Sequence, residues 1–315
     1  MVVSPALRAR LPAIAAVIVT VSLWSSAFVG IRAADRSLSP GALAFGRLLV
    51  GTAVLGAFVL LRREKLPTRG SLSRILICGV LWFGLYNVVL NEAEKRVGAG
   101  IAAMLVNVGP ILIAILAGVI LKEGFPPRLL AGCAVSFAGA GLIGAATSDH
   151  ALAQAWGAAL CLIAALAYAG GVVAQKPVLN HVRALAVTWL ACAIGAISCL
   201  PYAPSLVREL PHAHASAVAW TIYLGAGPTA IGFLTWAYAL ARTTAGRMGS
   251  TTYLVPPLAV LLGWAILSEV PPLLALPGGV LCLAGVALAR TGVGRAGSRR
   301  RRLESPAAAS GEVAA

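Results

Sequence analysis

Apolar runs of spanning length follow one another along this chain, separated by short polar punctuation. The hydrocarbon core of a bilayer accepts about 20 apolar residues as a helix. On that measure the sequence predicts helices over 12–33, 42–61, 73–91, 98–121, 128–146, 152–175, 185–201, 217–240, 246–267 and 273–290. The separators read DRSLSP, RREKLPTRGS, EKRVG, KEGFPP, TSDH, QKPVLNHVR, a Pro-rich span around PSLVRELPHAH, ARTTAGR and SEVPP. None is long enough for a soluble domain. The first run, Pro12 to Ile31, is longer than the about 7–15 residues of a signal-peptide core, so it reads as a retained helix. The expected fold class is an all-α integral membrane protein.

The pattern also repeats. Shifting the chain by 146 residues aligns Ala93–Leu142 with Ala239–Leu288 without a gap, and 16 of the 50 positions are identical. Leu and Ala matches are cheap in an apolar chain. The register is carried instead by Pro110/Pro256, Glu123/Glu269, Pro126/Pro272, Gly132/Gly278 and Gly139/Gly285. Such internal periodicity marks a duplicated unit. Ten helices in two copies leave five per copy, an odd number, so the second copy enters the membrane from the opposite side. The expected domains are a five-helix repeat over 1–146, its inverted partner over 147–290, and a disordered basic tail over 291–315. Inverted repeats that exchange conformations turn an inward-open state into an outward-open one. The topology therefore points to a carrier before any residue chemistry is considered.

Composition agrees with lipid as the main solvent: 59% hydrophobic, 11% charged, mean hydropathy +0.90. The formal charge of +15 would suggest nucleic acid in a soluble protein. In a membrane protein it reads as the positive-inside bias. With a cytoplasmic N-terminus, 19 Lys and Arg fall in inside segments and 5 in outside ones, and Arg47 lies within a helix. Both termini are thus expected in the cytoplasm. The basic cluster Arg299–Arg302 in the tail fixes topology or contacts anionic lipid. Six cysteines lie in apolar runs without CxxC or metal-ligand spacing and read as small packing residues. No metal or cofactor is expected.

The chemistry is in the polar and aromatic side chains at membrane depth. Candidates for a substrate cavity are Trp24, Ser26, Arg47, Asn87, Asn107, Tyr168, Trp236 and Tyr253. Together they would form a mixed polar and aromatic surface suited to a small amphipathic solute. Arg47 lies about two turns into the second helix, where it faces a cavity or snorkels outward. Pro110 and Pro256 are expected mid-helix, where each removes the partner of the carbonyl four residues earlier, on Val106 and Thr252. They act as packing kinks or as a shared hinge. With Glu123 and Glu269, which lie at helix ends, they are the hinge and gate candidates. Gly132, Ser136, Ala140 and Gly144 suggest close helix packing along the fifth span. No Asp or Glu falls mid-membrane, where proton-coupled carriers often place a relay. Coupling then uses Glu92 or another peripheral group, or the protein is a facilitator. The four histidines are all expected in loops, which argues against a membrane enzyme.

LWSSAFVGIRAA followed by SPGALAFGRLLV resembles the opening of EamA-type members of the drug/metabolite transporter superfamily. VGPILIAILAGVILKEGFPPRLLAGCAVSFAGAGLI and YLVPPLAVLLGWAILSEVPPLLALPGGVLCLAGVAL resemble that family's two closing segments, each with its Pro and its Leu-x-Glu. The similarity covers roughly residues 12–290. It implies a ten-helix inner-membrane carrier with a central cavity, usually exporting amino acids, metabolites or drugs. Carried over residue by residue, it highlights Trp24, Arg47, Pro110, Glu123, Pro256 and Glu269. The first copy reads LKE and the second LSE where the family usually has Gly before the Glu, so hairpin geometry there is open. The expected partners are a small-molecule solute and the lipid bilayer, with no nucleic acid, in a monomer or homodimer.

Overall fold

A computed structural model describes residues 5–35, 37–96, 105–147, 155–267, 273 and 275–290. Glu269, Pro272 and the tail from 291 lie outside the described residues, as do 97–104, mostly the start of the expected fourth helix, and 148–154, the expected loop before the sixth helix with that helix's first residues. Among the described residues there is helix and no strand. In lipid a helix satisfies its own backbone polar groups, which is why apolar sequence of this length takes that form.

The helices are α1 Pro5–Ala34, α2 Pro40–Leu61, α3 Arg69–Cys78, π1 Gly79–Leu85, α4 Tyr86–Glu94, α5 Gly109–Ile120, α6 Pro127–Thr147, α7 Ala155–Val178 and α8 Ala184–Ser198. They continue with α9 Ala203–Glu209, α10 Ala215–Leu224, π2 Gly225–Gly232, α11 Phe233–Leu240, α12 Ala245–Ser250, α13 Val255–Leu267 and α14 Ala275–Arg290. π1 and π2 are π-helical turns within longer rods. Helix thus occurs in every expected stretch. Among the described residues, six continuous rods are long and apolar enough to cross a bilayer: Leu11–Ala34, Pro40–Leu61, Arg69–Glu94, Trp156–Val178, Ala215–Leu240 and Ala245–Ile266. Their outward side chains, such as Ile18, Leu60, Ile77 and Leu166, stay exposed, as expected where lipid is the neighbour.

Two expectations change. The Pro-rich span after the seventh run is helical rather than open loop: Leu200–His212 continues from α8 after a 52° bend. Pro201, Pro204 and Pro211 fall in first turns there, where a missing N–H costs nothing. His212 accordingly ends a short 3-10 turn instead of lying in a loop. Pro110 and Pro256 are likewise not mid-helix. Pro110 occupies the first turn of α5, after a break at Asn107 and Val108. Pro256 follows a 3-10 turn, Thr251–Leu254, at the start of α13. The carbonyls around the second break are met locally by hydroxyls: Thr251 Oγ1 donates to Met248 O (2.7 Å) and Thr252 Oγ1 to Gly249 O (2.8 Å).

The most intimate helix pair is α6 against α14, running antiparallel. Gly132 faces Gly285 and Gly139 faces Gly278. Between them Ser136 Oγ donates to Cys282 O (3.1 Å), and Cys282 Sγ to Ser136 O (3.5 Å). Small residues allow this approach because lipid supplies no hydrophobic drive between helices, only packing and hydrogen bonds. A second close approach sets the site. A Cβ on Gly225 would lie 2.7 Å from the Arg47 carbonyl oxygen, so the bare glycine lets α2 press against π2. In the same manner Gly79 of π1 receives α8, where a Cβ would lie 2.8 Å from Ala191 O.

The turn between α5 and α6 explains the LKE sequence. Lys122 adopts φ 54° and Gly124 φ 76°. Lys122 therefore takes the left-handed conformation that glycine enters freely, at a cost of roughly 1–2 kcal/mol for a side-chain-bearing residue. Lys122→Gly is expected to keep the turn and stabilise the fold by about 0.5–1 kcal/mol after the added chain entropy of glycine, which raises the melting temperature. Thermal unfolding in detergent checks this. An unchanged or lower midpoint would show that the turn is not strained.

Candidate functional site

A cavity of about 90 Å³ lies among α1, α2, the π1–α4 rod, the α5 break, α7, α11 and the α12–α13 break. Its wall is largely aromatic and aliphatic: Trp24, Ala27, Phe28, Ile31, Trp82, Tyr86, Leu90, Val106, Pro110, Tyr168, Phe233 and Val255. Arg47, Asn87, Asn107 and Thr252 add the other polar groups.

Each polar member is placed by local structure. Arg47 is 5% exposed, so it does not snorkel, and its Nε donates to Thr229 Oγ1 at 3.0 Å. Thr229 lies in π2, where the widened turn meets α2 across Gly225. Asn87 Nδ2 donates to Phe83 O (2.8 Å) and Trp82 O (3.4 Å), carbonyls of π1. Trp24 Nε1 donates to Pro228 O of π2 at 3.3 Å. Both π turns thus supply backbone oxygens to cavity residues, and π bulges recur at functional sites for that reason.

Trp24, Arg47, Asn87, Asn107 and Tyr168, together with Pro110, are brought to one cavity. Three candidates from the sequence are not on its wall. Trp236 is fully buried behind it, stacked on Trp24 at 5.0 Å between centroids. Ser26 faces α10, sharing a 2.6 Å hydrogen bond with the Tyr223 hydroxyl. Tyr253 is fully buried in the cluster that holds Cys133 and Cys282. Alternating polar and apolar positions near the 3-10 turn explain this: Thr252 reaches the cavity and its neighbour Tyr253 points away. Pro256 is buried and off the cavity wall.

Glu123 accepts from Ala245 N (Oε1, 2.8 Å) and from Gly246 N (Oε2, 3.3 Å). It closes the N-terminus of α12, where unpaired N–H groups and the helix dipole favour an anion. The carboxylate thereby ties the α5–α6 turn to the start of the ninth run.

Sequence reading missed Phe28, Trp82, Tyr86, Phe233, Thr229 and Thr252. Aromatic residues are too ordinary in membrane helices for composition to single them out. A signal did exist for π1 and π2: they begin 146 residues apart, at Gly79 and Gly225, the same interval as the repeat.

Beyond the end of α1, Asp35 is partly buried and its Oδ1 has no hydrogen-bond partner among the described residues. Burial raises its pKa from the ordinary 3.8 to about 6; Lys95 opposes the shift and Glu92 adds to it. A raised carboxylate pKa means the folded protein binds the proton more tightly than the unfolded chain. Its stabilising effect is therefore present at pH 4 and lost as pH rises through 6. Asp35→Asn is expected to match the parent near pH 4 and to melt higher above pH 6. Melting curves at the two pH values check the sign, and equal midpoints at pH 7.5 would refute it.

The helices of spanning length, packed around a cavity, define a multi-pass membrane protein. The EamA-like transporter family model matches residues 11–145 and again 155–291, and the chain belongs to that family. It is 36% identical over 298 residues to the "Probable terminal-alkyne amino-acid exporter" of Streptantibioticus cattleyicolor, covering 93% of this chain and 97% of that protein. It is 33% identical over 266 residues to the "Uncharacterized transporter YdfC" of Bacillus subtilis, covering 84% and 87%. A solved crystal structure shares the fold with a TM-score of 0.71 at 21% identity, over 93% of this chain and 99% of that one. The family identifies a membrane transporter.

Proposed function

We propose that the protein is a secondary exporter of small organic metabolites, amino acids or related solutes, working by alternating access between two inverted five-helix repeats. The repeats would comprise 1–146 and 147–290, with 291–315 as a basic cytoplasmic tail and ten spans placing both termini inside. The observation that carries this reading is the cavity walled by elements of both halves at their broken helices. Contacts and elements related through the 146-residue interval support the inversion. Ser136 and Cys282, which bond each other reciprocally, are 146 residues apart. In the glycine contacts, Gly132 meets the counterpart of Gly139, and Gly139 meets the counterpart of Gly132. The π turns and the Pro110 and Pro256 breaks repeat at that interval too. A two-fold axis in the membrane plane, passing between Ser136 and Cys282, generates all of them, and such an axis is the architecture of alternating access.

Outward transport is supported by the exporter among the relatives. A facilitator with the same cavity is the second reading, favoured because no carboxylate lines the cavity among the described residues. The test is purified protein in proteoliposomes with a panel of labelled metabolites, with and without an imposed proton gradient. Saturable counterflow supports a carrier, and indifference to the gradient selects the facilitator. Neither flux nor ligand-induced stabilisation across the panel would leave a non-transporting scaffold or sensor.

A further inference from the structure

We infer that Arg47 anchors a carboxylate, so that the cavity takes small carboxylate-bearing solutes with an apolar tail, anionic or zwitterionic, and rejects cations. The inference rests on the transport reading and narrows its substrate class. Arg47 is the one Lys, Arg, Asp or Glu among the residues lining the cavity. Among the described residues no carboxylate stands within ion-pair distance of it. Glu94 is near enough to influence its charge without bonding to it. A guanidinium buried in lipid-depth protein without a bonded counter-charge is costly, and the arrival of an anion relieves that cost.

The geometry selects the kind of anion. Thr229 holds Nε at 3.0 Å and so fixes the guanidinium plane. The two terminal nitrogens remain as the parallel fork that a carboxylate accepts in bidentate fashion. Against that polar end stand the aromatic rings of Trp24, Phe28, Trp82 and Phe233. They suit an apolar chain a few carbons long, and the volume of about 90 Å³ limits its length. An α-amino group can rest on a ring face, since cations bind there weakly, but it is not what the cavity demands. A cation lacking a carboxylate would meet Arg47 with no acid in the wall to compensate.

The test compares L-leucine, 4-methylvalerate, L-leucinamide and isoamylamine on the intact protein, by thermal stabilisation in detergent and by counterflow in proteoliposomes. The expected result is binding and flux of the first two, with the amide and the amine at least ~10-fold weaker, the loss typical of a removed charge-assisted hydrogen bond. Equal or better binding of leucinamide or isoamylamine would overturn the anchor while leaving the transport reading intact. Equal stabilisation by chloride or sulfate would show a generic anion site and overturn the role of the tail. Carboxylate binding without flux would uphold the anchor and sink the transport reading instead. Absence of stabilisation by any of the four would overturn the inference.

Discussion

Valine at position 285 is expected to leave little folded protein. A Cβ there would lie 2.2 Å from Ser136 Oγ, 2.5 Å from Gly132 O and 2.5 Å from Ser136 N. Two of these are backbone atoms, which cannot rotate away, so α6 and α14 would have to part. Separation would also break the reciprocal bonds between Ser136 and Cys282, leaving the Ser136 hydroxyl and the Cys282 thiol without their partners in an apolar setting. Overpacking alone costs about 1–3 kcal/mol, and the lost bonds add to it, so at least ~3 kcal/mol is expected. Against a typical total of about 5–15 kcal/mol that is a large fraction. Gly141→Val is the control, because a Cβ there meets nothing within 4 Å. Yield of monodisperse protein and melting temperature would be compared. Similar behaviour of the two variants would show that the α6–α14 contact is not close.

The second large effect is functional. Arg47→Met is expected to reduce solute flux by roughly 10–100-fold, the equivalent of about 1.5–3 kcal/mol for a hydrogen bond to a charged group. Stability should hold or improve, since replacing a buried ionic group by an apolar one of similar volume is often neutral or favourable. Arg47→Lys keeps the charge but loses both the Thr229 contact through Nε and the planar fork, so an intermediate flux is expected. The measurement is initial flux per folded molecule in proteoliposomes. Full activity of Arg47→Met at normal expression would remove Arg47 from the site.

Much of the helix layout was legible because lipid imposes one rule on every apolar run, and the runs here are cleanly separated by charges and prolines. Five of the eight cavity candidates were legible for a related reason: a polar side chain at membrane depth needs a partner or a cavity. What the rule cannot supply is direction around the helix. Trp236 and Tyr253 are as aromatic as Trp24 and Tyr168, yet they turn into protein, Trp236 behind the Trp24 ring and Tyr253 towards Cys282. The proline breaks were half legible. Proline predicts an interrupted hydrogen-bond ladder, but only the structure shows that the chain restarts as a new helix with proline in its first turn. Glu123 was legible as a helix-end residue, but its partner at the start of α12, 122 residues away, was not.

The two π turns have a consequence for how the chain can tolerate change. Each accommodates an additional residue relative to an ideal α-helix, and one residue corresponds to about 100° of rotation. Deleting a single residue within Gly79–Leu85 would let that turn relax to α geometry and largely keep the phase, whereas the same deletion within Arg69–Cys78 would swing everything after it by about that angle. Tyr86, Asn87 and Leu90 would then face elsewhere, although none of them had been altered. The cavity is therefore a matter of phase as well as composition. Outside the π turns, length in these two rods is held as tightly as the identity of the side chains they present.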